Sequence, residues 1–147
     1  MENLINKDIT ELLPHRKPFL FIDKVISIEG MNKIVAEKKI NKDEDYLKGH
    51  FPGNPIVPGV LIVESMAQAS GLIYAYNIGE LKDVYFLSRI SDIKFKHPVF
   101  PGDTLIIKAE ILGHFDQAVK THAWCEVNGK VVAEGELVLS KLKGERK

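Results

Sequence analysis

One segment of the chain, residues 59 to about 76, limits the possible folds more than any other, because it is apolar on nearly every side of a helical wheel. Its residues are mostly small or aliphatic, and the polar side chains in its middle are Glu64, Ser65, Gln68 and Ser70. A helix that is apolar nearly all round is a buried helix. The rest of the chain is therefore predicted to surround it.

Segments typical of β-strands lie on both sides of the predicted helix. Before it, residues 19–29 and 33–40 are rich in β-branched and apolar residues and are joined by a turn that contains glycine, which indicates a hairpin. After it come four further strand-like segments, at residues 84–95, 104–115, 118–127 and 130–142. Asn128 and Gly129, which separate the last two, are typical of a hairpin turn. One long helix wrapped by a curved, mostly antiparallel sheet is an α+β architecture.

Two further segments, residues 6–13 and 41–58, are not predicted to form strands. Residues 6–13 are predicted to form a short helix that stops at Pro14. Residues 41–58 contain three prolines and two glycines and show little periodicity. A loop of this length in a small domain is more often functional than idle. With 147 residues, the chain is expected to be one domain spanning 1–147.

Charge and cysteine content exclude several classes of function. Basic and acidic residues are equal at 20 each, so no overall field draws the chain to nucleic acid or to an anionic membrane. Cys125 is the only cysteine, which excludes an intramolecular disulfide and a four-thiolate metal site. The first residues lack the pattern of a signal peptide, and no long apolar run predicts a membrane span. We therefore expect a cytoplasmic protein.

The strongest chemical signal comes from His50 and Glu64. Glu64 lies within the predicted buried helix, where an unpaired carboxylate is costly and is often retained for a task. His50 lies in the long loop, which Pro52, Pro55 and Pro58 stiffen. A carboxyl in a buried helix and an imidazole in a stiffened loop are suitable as an acid and a base. A structural carboxylate is the alternative reading of Glu64, and the nearby histidine weighs against it.

The start of the predicted helix supplies a third chemical group. Pro58 and Gly59 open it, so that free backbone N–H groups lie beside a residue with no side chain to block approach. Such amides can stabilise an oxyanion. Gln68 follows Glu64 by one turn on the same face, within reach of the carboxylate or of its water. Together these groups suit proton abstraction next to a thioester carbonyl.

Other reactive side chains are interpreted as structural. His15 and His97 stand next to prolines and are expected to anchor loops, while His114 and His122 fall in strands and are expected to be exposed. Cys125 lies on a predicted strand and is expected to pack in the core rather than act as a nucleophile. The sequence contains no glycine-rich phosphate loop and no cluster of metal ligands, so we predict neither a cofactor nor a metal.

Several ordered motifs resemble those of the 3-hydroxyacyl-[acyl-carrier-protein] dehydratases of type II fatty acid synthesis, which have the hot-dog fold. The motifs are LPHRKPFL at residues 13–20, GHFPGNP at 49–55, PGV at 58–60, ESMAQA at 64–69, KFK at 94–96, PGD at 101–103 and GKVVAE at 129–134. They extend over nearly the whole chain. The resemblance implies dehydration of a (3R)-hydroxyacyl group to a trans-2-enoyl group during fatty acid elongation.

The resemblance also implies residue roles. It makes His50 the base that takes the α-proton and Glu64 the acid that protonates the departing hydroxyl, directly or through water. It assigns the amide that polarises the thioester carbonyl to Gly59. Phe51, Gln68 and Tyr85 are expected to contact the substrate, with Tyr85 gating the acyl tunnel.

The same resemblance implies two kinds of partner. The substrate arrives on the phosphopantetheine arm of an acidic acyl carrier protein, and Arg89, Lys94 and Lys96 are the candidates for its basic docking patch. A second copy of the chain is the other partner. Family members form dimers in which His50 and Glu64 of one site come from different subunits, and three dimers commonly form a hexamer.

Three rival functions stay open at this point. A dehydratase-isomerase of unsaturated fatty acid synthesis carries an aspartate where this chain has Glu64, so the glutamate favours plain dehydration. A hot-dog thioesterase would direct its carboxylate at water, and the motif around His50 argues against it. A noncatalytic acyl-binding module would need neither side chain for chemistry.

Overall fold

The long helix forms as predicted and lies at the centre of the molecule. The computed structural model describes residues 3–143, and in it the helix α2 spans Gly59–Ile78. Every residue from Ile62 to Ala75 except Glu64 is buried. The helix ends at Gly79, whose φ of 75° is in the left-handed region that glycine adopts without strain. The N–H of Glu80 then bonds the carbonyl of Ala75 at 2.8 Å and completes a Schellman motif.

Six antiparallel strands make one sheet around this helix. They are β1 (Lys24–Glu29), β2 (Lys33–Lys39), β3 (Tyr85–Phe95), β4 (Thr104–Phe115), β5 (Ala118–Val127) and β6 (Lys130–Lys141). Their order across the sheet is β1-β2-β4-β5-β6-β3, so β1 and β3 form its two edges. Both Asn128 and Gly129 have positive φ, as the predicted two-residue hairpin turn requires. The predicted α+β architecture is therefore confirmed.

The inner face of the sheet packs on α2, and the buried serine hydroxyls of the helix have hydrogen-bond partners. Alternate residues of the strands, such as Ile107, Ala123 and Leu137, are fully buried in one core with Met66 and Leu72 of the helix. The helix serines are satisfied locally, since the Ser70 and Thr121 hydroxyls lie 2.7 Å apart and Ser65 donates to the carbonyl of Ile62. Among residues 3–143, no helix combines the length and the hydropathy that crossing a bilayer would require.

The N-terminal segment differs from the prediction of one helix over residues 6–13. It forms two single 3₁₀ turns, Leu4–Asn6 and Ile9–Glu11. The side chains of Asn3 and Asp8 each accept a hydrogen bond from a backbone N–H two residues ahead, so the chain restarts at Asp8 instead of continuing. An aspartate that can cap a new turn competes with an ongoing helix, which explains the break.

The first strand and the long loop also differ in detail. Strand β1 begins at Lys24 rather than Phe19, because the backbone of Phe19 and Phe21 bonds the Gln68 side chain and not a neighbouring strand. The loop before α2 contains a short helix, α1 (Asp45–Gly49). Lys38, which is buried on β2, ties this region to the sheet through Glu44 at 2.9 Å and Asp23 at 3.5 Å.

Candidate active site

Glu64 is the one residue of α2 between Ile62 and Ala75 that is not fully buried. Its side chain is 22% exposed and lies in a pocket against the helix. Burial raises the pKa of the Glu64 carboxyl above its ordinary value, and the hydrogen bond from Gln68 opposes that shift only in part. The carboxyl therefore retains its proton to higher pH than an exposed glutamate, which is what an acid catalyst needs.

Gln68 holds Glu64 in place. Its Nε2 donates to Glu64 Oε2 at 3.0 Å and to the carbonyl of Phe19 at 3.0 Å, and its Oε1 accepts from the N–H of Phe21 at 2.9 Å. The two backbone partners fix which end of the amide is the donor. Both N–H bonds of the amide are used, so Gln68 lines the pocket and orients the carboxylate within it.

The pocket beside Glu64 is a groove along one face of α2. The helix side is formed by Glu64, Ala67, Gln68, Gly71, Leu72 and Ala75. The opposite side and the far end are formed by Leu12, Leu13, Pro14, His15, Lys82, Asp83, Tyr85, Leu87 and Leu139. Ala67, Gly71 and Ala75 are small residues at positions four apart, so the helix leaves room for the groove. Its lining combines aliphatic side chains with the polar residues His15, Glu64, Gln68, Lys82 and Asp83.

His15 is the unexpected member of this pocket. Its Nε2 lies 3.8 Å from Glu64 Oε2, and its Nδ1 is buried without a hydrogen-bond partner among the described residues. Burial lowers the pKa of His15, and the nearby Arg16 lowers it further. Sequence reasoning interpreted His15 as a loop anchor because no acidic residue is close to it in sequence. The fold supplies that residue from a position 49 places later.

His50 lies outside this pocket. It follows α1, and its Nδ1 lies 2.8 Å from the carbonyl of Ile56. A carbonyl can only accept, so the proton of a neutral ring is on Nδ1 and Nε2 keeps its lone pair for use as a base. The ring of Phe51, which is exposed, stacks on His50 with centroids 4.2 Å apart. Within one chain, His50 is not among the residues that line the pocket of Glu64.

Gly59 is the first residue of α2, as predicted. Its N–H belongs to the first turn, whose amides have no partner inside the helix. A Cβ at this position would lie 3.0 Å from the ring of Phe95, closer than side-chain atoms normally approach. A residue larger than glycine would therefore push the aromatic ring away from the start of the helix.

Tyr85 and the predicted basic residues are all on or next to the edge strand β3. The Tyr85 hydroxyl is buried without a hydrogen-bond partner in the described structure, its ring meets Tyr74 edge-on, and burial raises its pKa to about 12. Arg89 and Lys94 are exposed. Lys96 is exposed as well and forms an ion pair with Glu134 at 2.8 Å.

The remaining reactive side chains take structural positions. Cys125 is fully buried beside Ser65, and burial raises its pKa to about 12, so its thiol stays protonated, as expected for a core residue. His97 and His114 are exposed. The prediction for His122 was wrong in part, because its ring packs near Trp124 on the outer face of the sheet and is only half-exposed.

Comparisons with known proteins show the family to which the chain belongs. A family profile described as a FabA-like domain matches residues 13–138. A 3-hydroxyacyl-[acyl-carrier-protein] dehydratase FabZ of Ruminiclostridium cellulolyticum is 46% identical over 95% of this chain and 99% of its own length. The enzyme of the same name from Clostridium tetani is 44% identical over 94% of this chain and 97% of its own.

A solved structure shows the same fold at much lower identity. It belongs to the dehydratase heterocomplex ApeI:P from Xenorhabdus doucetiae, with a TM-score of 0.80 and 19% identity. The alignment covers 93% of this chain and 92% of that one. The predicted hot-dog fold is therefore confirmed.

Proposed function

The chain belongs to the FabA-like family, and we propose that it is a 3-hydroxyacyl-[acyl-carrier-protein] dehydratase, which removes water from (3R)-hydroxyacyl groups to give trans-2-enoyl groups in fatty acid elongation. The observation that carries the proposal is Glu64, a carboxyl of raised pKa that lines a groove together with aliphatic residues such as Leu72 and Leu139. An acid in a groove that is lined in part by aliphatic side chains suits a substrate with an alkyl chain and a hydroxyl to be protonated.

The proposed reaction divides the work between two side chains. Nε2 of His50 takes the proton from the carbon next to the thioester carbonyl. The electrons of that C–H bond form the new double bond, the bond from C3 to oxygen breaks, and Glu64 gives its proton to the departing hydroxyl. Water and the enoyl thioester are the products. The N–H of Gly59 binds the carbonyl oxygen, where negative charge develops.

The site is formed by two copies of the chain in this proposal. His50 is not among the residues that line the Glu64 pocket within one chain, so in this proposal a partner brings its His50 to the groove. Strand β3 supplies a surface for that contact, because it is an edge strand of eleven residues and exposes Phe86 and Ile90. Pairing of edges in an isologous dimer would cover it, and three dimers would form the hexamer.

The acyl carrier protein is the second partner. Arg89, Lys94 and Lys96 lie on or just after β3 and give a positive patch suited to an acidic carrier. Because carrier-bound acyl chains are cytoplasmic substrates, the cytoplasm is the proposed location.

Raising the salt concentration should slow turnover of carrier-bound substrate more than turnover of a small thioester, since exposed charges are screened.

A direct assay tests the activity. The protein is incubated with crotonyl pantetheine, and hydration is followed as loss of the absorbance of the conjugated thioester. His50→Ala and Glu64→Gln are expected to lower the rate by at least about 1000-fold while the circular dichroism spectrum stays unchanged. Release of free thiol would instead identify a thioesterase, and binding without either reaction would identify an acyl-binding module. Near-normal rates in either variant would reject the assigned roles.

A further inference from the structure

His15 faces Glu64 across the pocket from a loop that has little freedom to move. Arg16 donates from Nη1 to the carbonyls of Leu13 and His15 at 2.9 and 2.7 Å, and from Nη2 to the carbonyl of Thr10 at 3.1 Å. These three bonds close the turn around Pro14. The imidazole is therefore presented to the pocket by a fixed backbone.

The distance between His15 and Glu64 leaves room for one bridging group. The 3.8 Å between Nε2 and Oε2 is too long for a direct hydrogen bond. A single oxygen atom beside them can lie within hydrogen-bond distance of both, as a bridging water does. The two side chains are thus arranged around a position for a hydroxyl group or a water molecule.

The protonation state of the His15 imidazole decides whether it donates a hydrogen bond to such an oxygen or accepts one from it. Burial and Arg16 both favour the neutral ring, which has one N–H. Nδ1 has no acceptor among the described residues, whereas Nε2 faces the carboxyl. The proton is therefore better placed on Nε2, which makes His15 a donor to an oxygen in front of Glu64.

From this geometry we propose that His15 binds the reacting hydroxyl of the substrate, donating from Nε2 to the same oxygen that Glu64 protonates. The inference rests on the proposed dehydratase function and adds a third side chain to it. When the bond from C3 to oxygen breaks, that oxygen gains electron density, takes the proton of Glu64 and leaves as water. A donor fixed on the oxygen stabilises the growing negative charge.

The experiment compares ligands with and without the hydroxyl. For His15→Ala, the kcat/KM for (3R)-3-hydroxybutyryl pantetheine should fall about 10- to 100-fold, the effect of losing a hydrogen bond to a group that gains charge. The inhibition constant of butyryl pantetheine, which lacks the hydroxyl, should change less than about twofold. His15→Gln, which restores an N–H donor, should recover most of the loss. His122→Ala, on the outer face of the sheet, serves as the matched control.

These measurements distinguish a hydrogen bond from His15 to the substrate hydroxyl from a general effect of His15 on the pocket. If His15→Ala weakens butyryl pantetheine as much as the hydroxyacyl substrate, or if its kcat/KM stays within twofold of the unmodified protein, the proposal is overturned. An equal loss in His15→Gln and His15→Ala would also overturn it. Inactivity of the unmodified protein and of His122→Ala together would reject the dehydratase function itself, and this inference with it.

Discussion

At the scale of single residues, the proposed chemistry depends on how far the Glu64 carboxyl is removed from water. Its carboxyl has one firm partner, Gln68, and is otherwise enclosed by the groove. Desolvation penalises the charged form, so the burial of Glu64 also raises the pKa of its carboxyl. Stability should therefore depend on pH in part through the ionisation of Glu64.

The pH dependence of folding gives the first prediction. Because its folded pKa is raised, Glu64 stabilises the fold at low pH, and this contribution is lost as the pH rises through that pKa. The neutral variant Glu64→Gln lacks this loss. Urea unfolding of both proteins across a pH series should show the variant gaining stability relative to the parent as the pH increases. A difference that does not change with pH would contradict the proposed desolvation of Glu64.

Gln68 gives a second prediction at the same scale. Gln68→Met keeps the shape of the side chain but leaves the buried N–H of Phe21 and the carbonyl of Phe19 without their partner. We expect a loss of about 2–4 kcal/mol in the free energy of unfolding, because buried polar groups are costly when unpaired. Chemical denaturation measures it.

Asn77 offers a matched comparison for Gln68. It makes one exposed bond, from Nδ2 to the carbonyl of Met31 at 2.8 Å. Asn77→Leu should cost less than about 1 kcal/mol, since solvent can replace an exposed partner. An equal loss in the free energy of unfolding for the two variants would mean that the buried bonds of Gln68 stabilise the fold no more than an exposed bond does.

At the scale of elements, the sequence was sufficient to predict the helices and strands whose limits follow from local patterns. Strands β3 to β6 match their predicted limits within one residue, since alternation and turn residues determine them. The start of β1 was wrong because a side chain from α2 takes the backbone bonds of Phe19 and Phe21. His15 was misassigned for the same reason: its partner Glu64 is brought to it by tertiary packing.

The third prediction concerns the face of α2 that lines the groove beside Glu64. A Cβ added to Gly71 would be 3.5 Å from Leu139 and 3.8 Å from Tyr85, which is ordinary contact. Gly71→Ala should therefore stabilise the protein by about 0.5–1 kcal/mol through helix propensity. It should also narrow the groove, so turnover of long acyl chains should fall relative to crotonyl thioester.

Gly79 provides the contrast for that substitution. It ends the same helix at a φ of 75°, where a side chain is strained although nothing lies within 4 Å. Gly79→Ala should destabilise the protein by about 1 kcal/mol and leave chain-length preference unchanged. Thermal unfolding and a chain-length series measure both effects. A stabilised Gly79→Ala, or an unchanged preference in Gly71→Ala, would contradict these assignments.

At the scale of the whole molecule, the sequence predicts His50 and Glu64 as the reacting groups, and the family resemblance predicts that one site takes them from different chains. Within one chain, the loop that carries His50 is bound to the sheet through the ion pair of Lys38 with Glu44, and His50 does not line the Glu64 pocket. Which copy of the chain contributes each group can be determined in solution. A mixing experiment can report it.

The fourth prediction uses two inactive variants. If each site takes His50 from one chain and Glu64 from the other, a dimer of one His50→Ala chain and one Glu64→Gln chain has one intact site. Refolding the two together in equal amounts should restore about a quarter of the parental activity per chain, because half of the dimers are mixed. Each variant refolded alone should stay inactive. No recovery in the mixture would place both groups of a site on the same chain.

The three-way bonding of Gln68 has a consequence for shortened versions of this protein. The segment before β1 contributes no strand to the sheet, so its removal would leave the helix and all six strands in the remaining chain. It would nevertheless remove both backbone partners of the amide, together with His15. Such a fragment would keep the helix and the sheet but lose one side of the Glu64 pocket, because Leu12, Leu13, Pro14 and His15 line it.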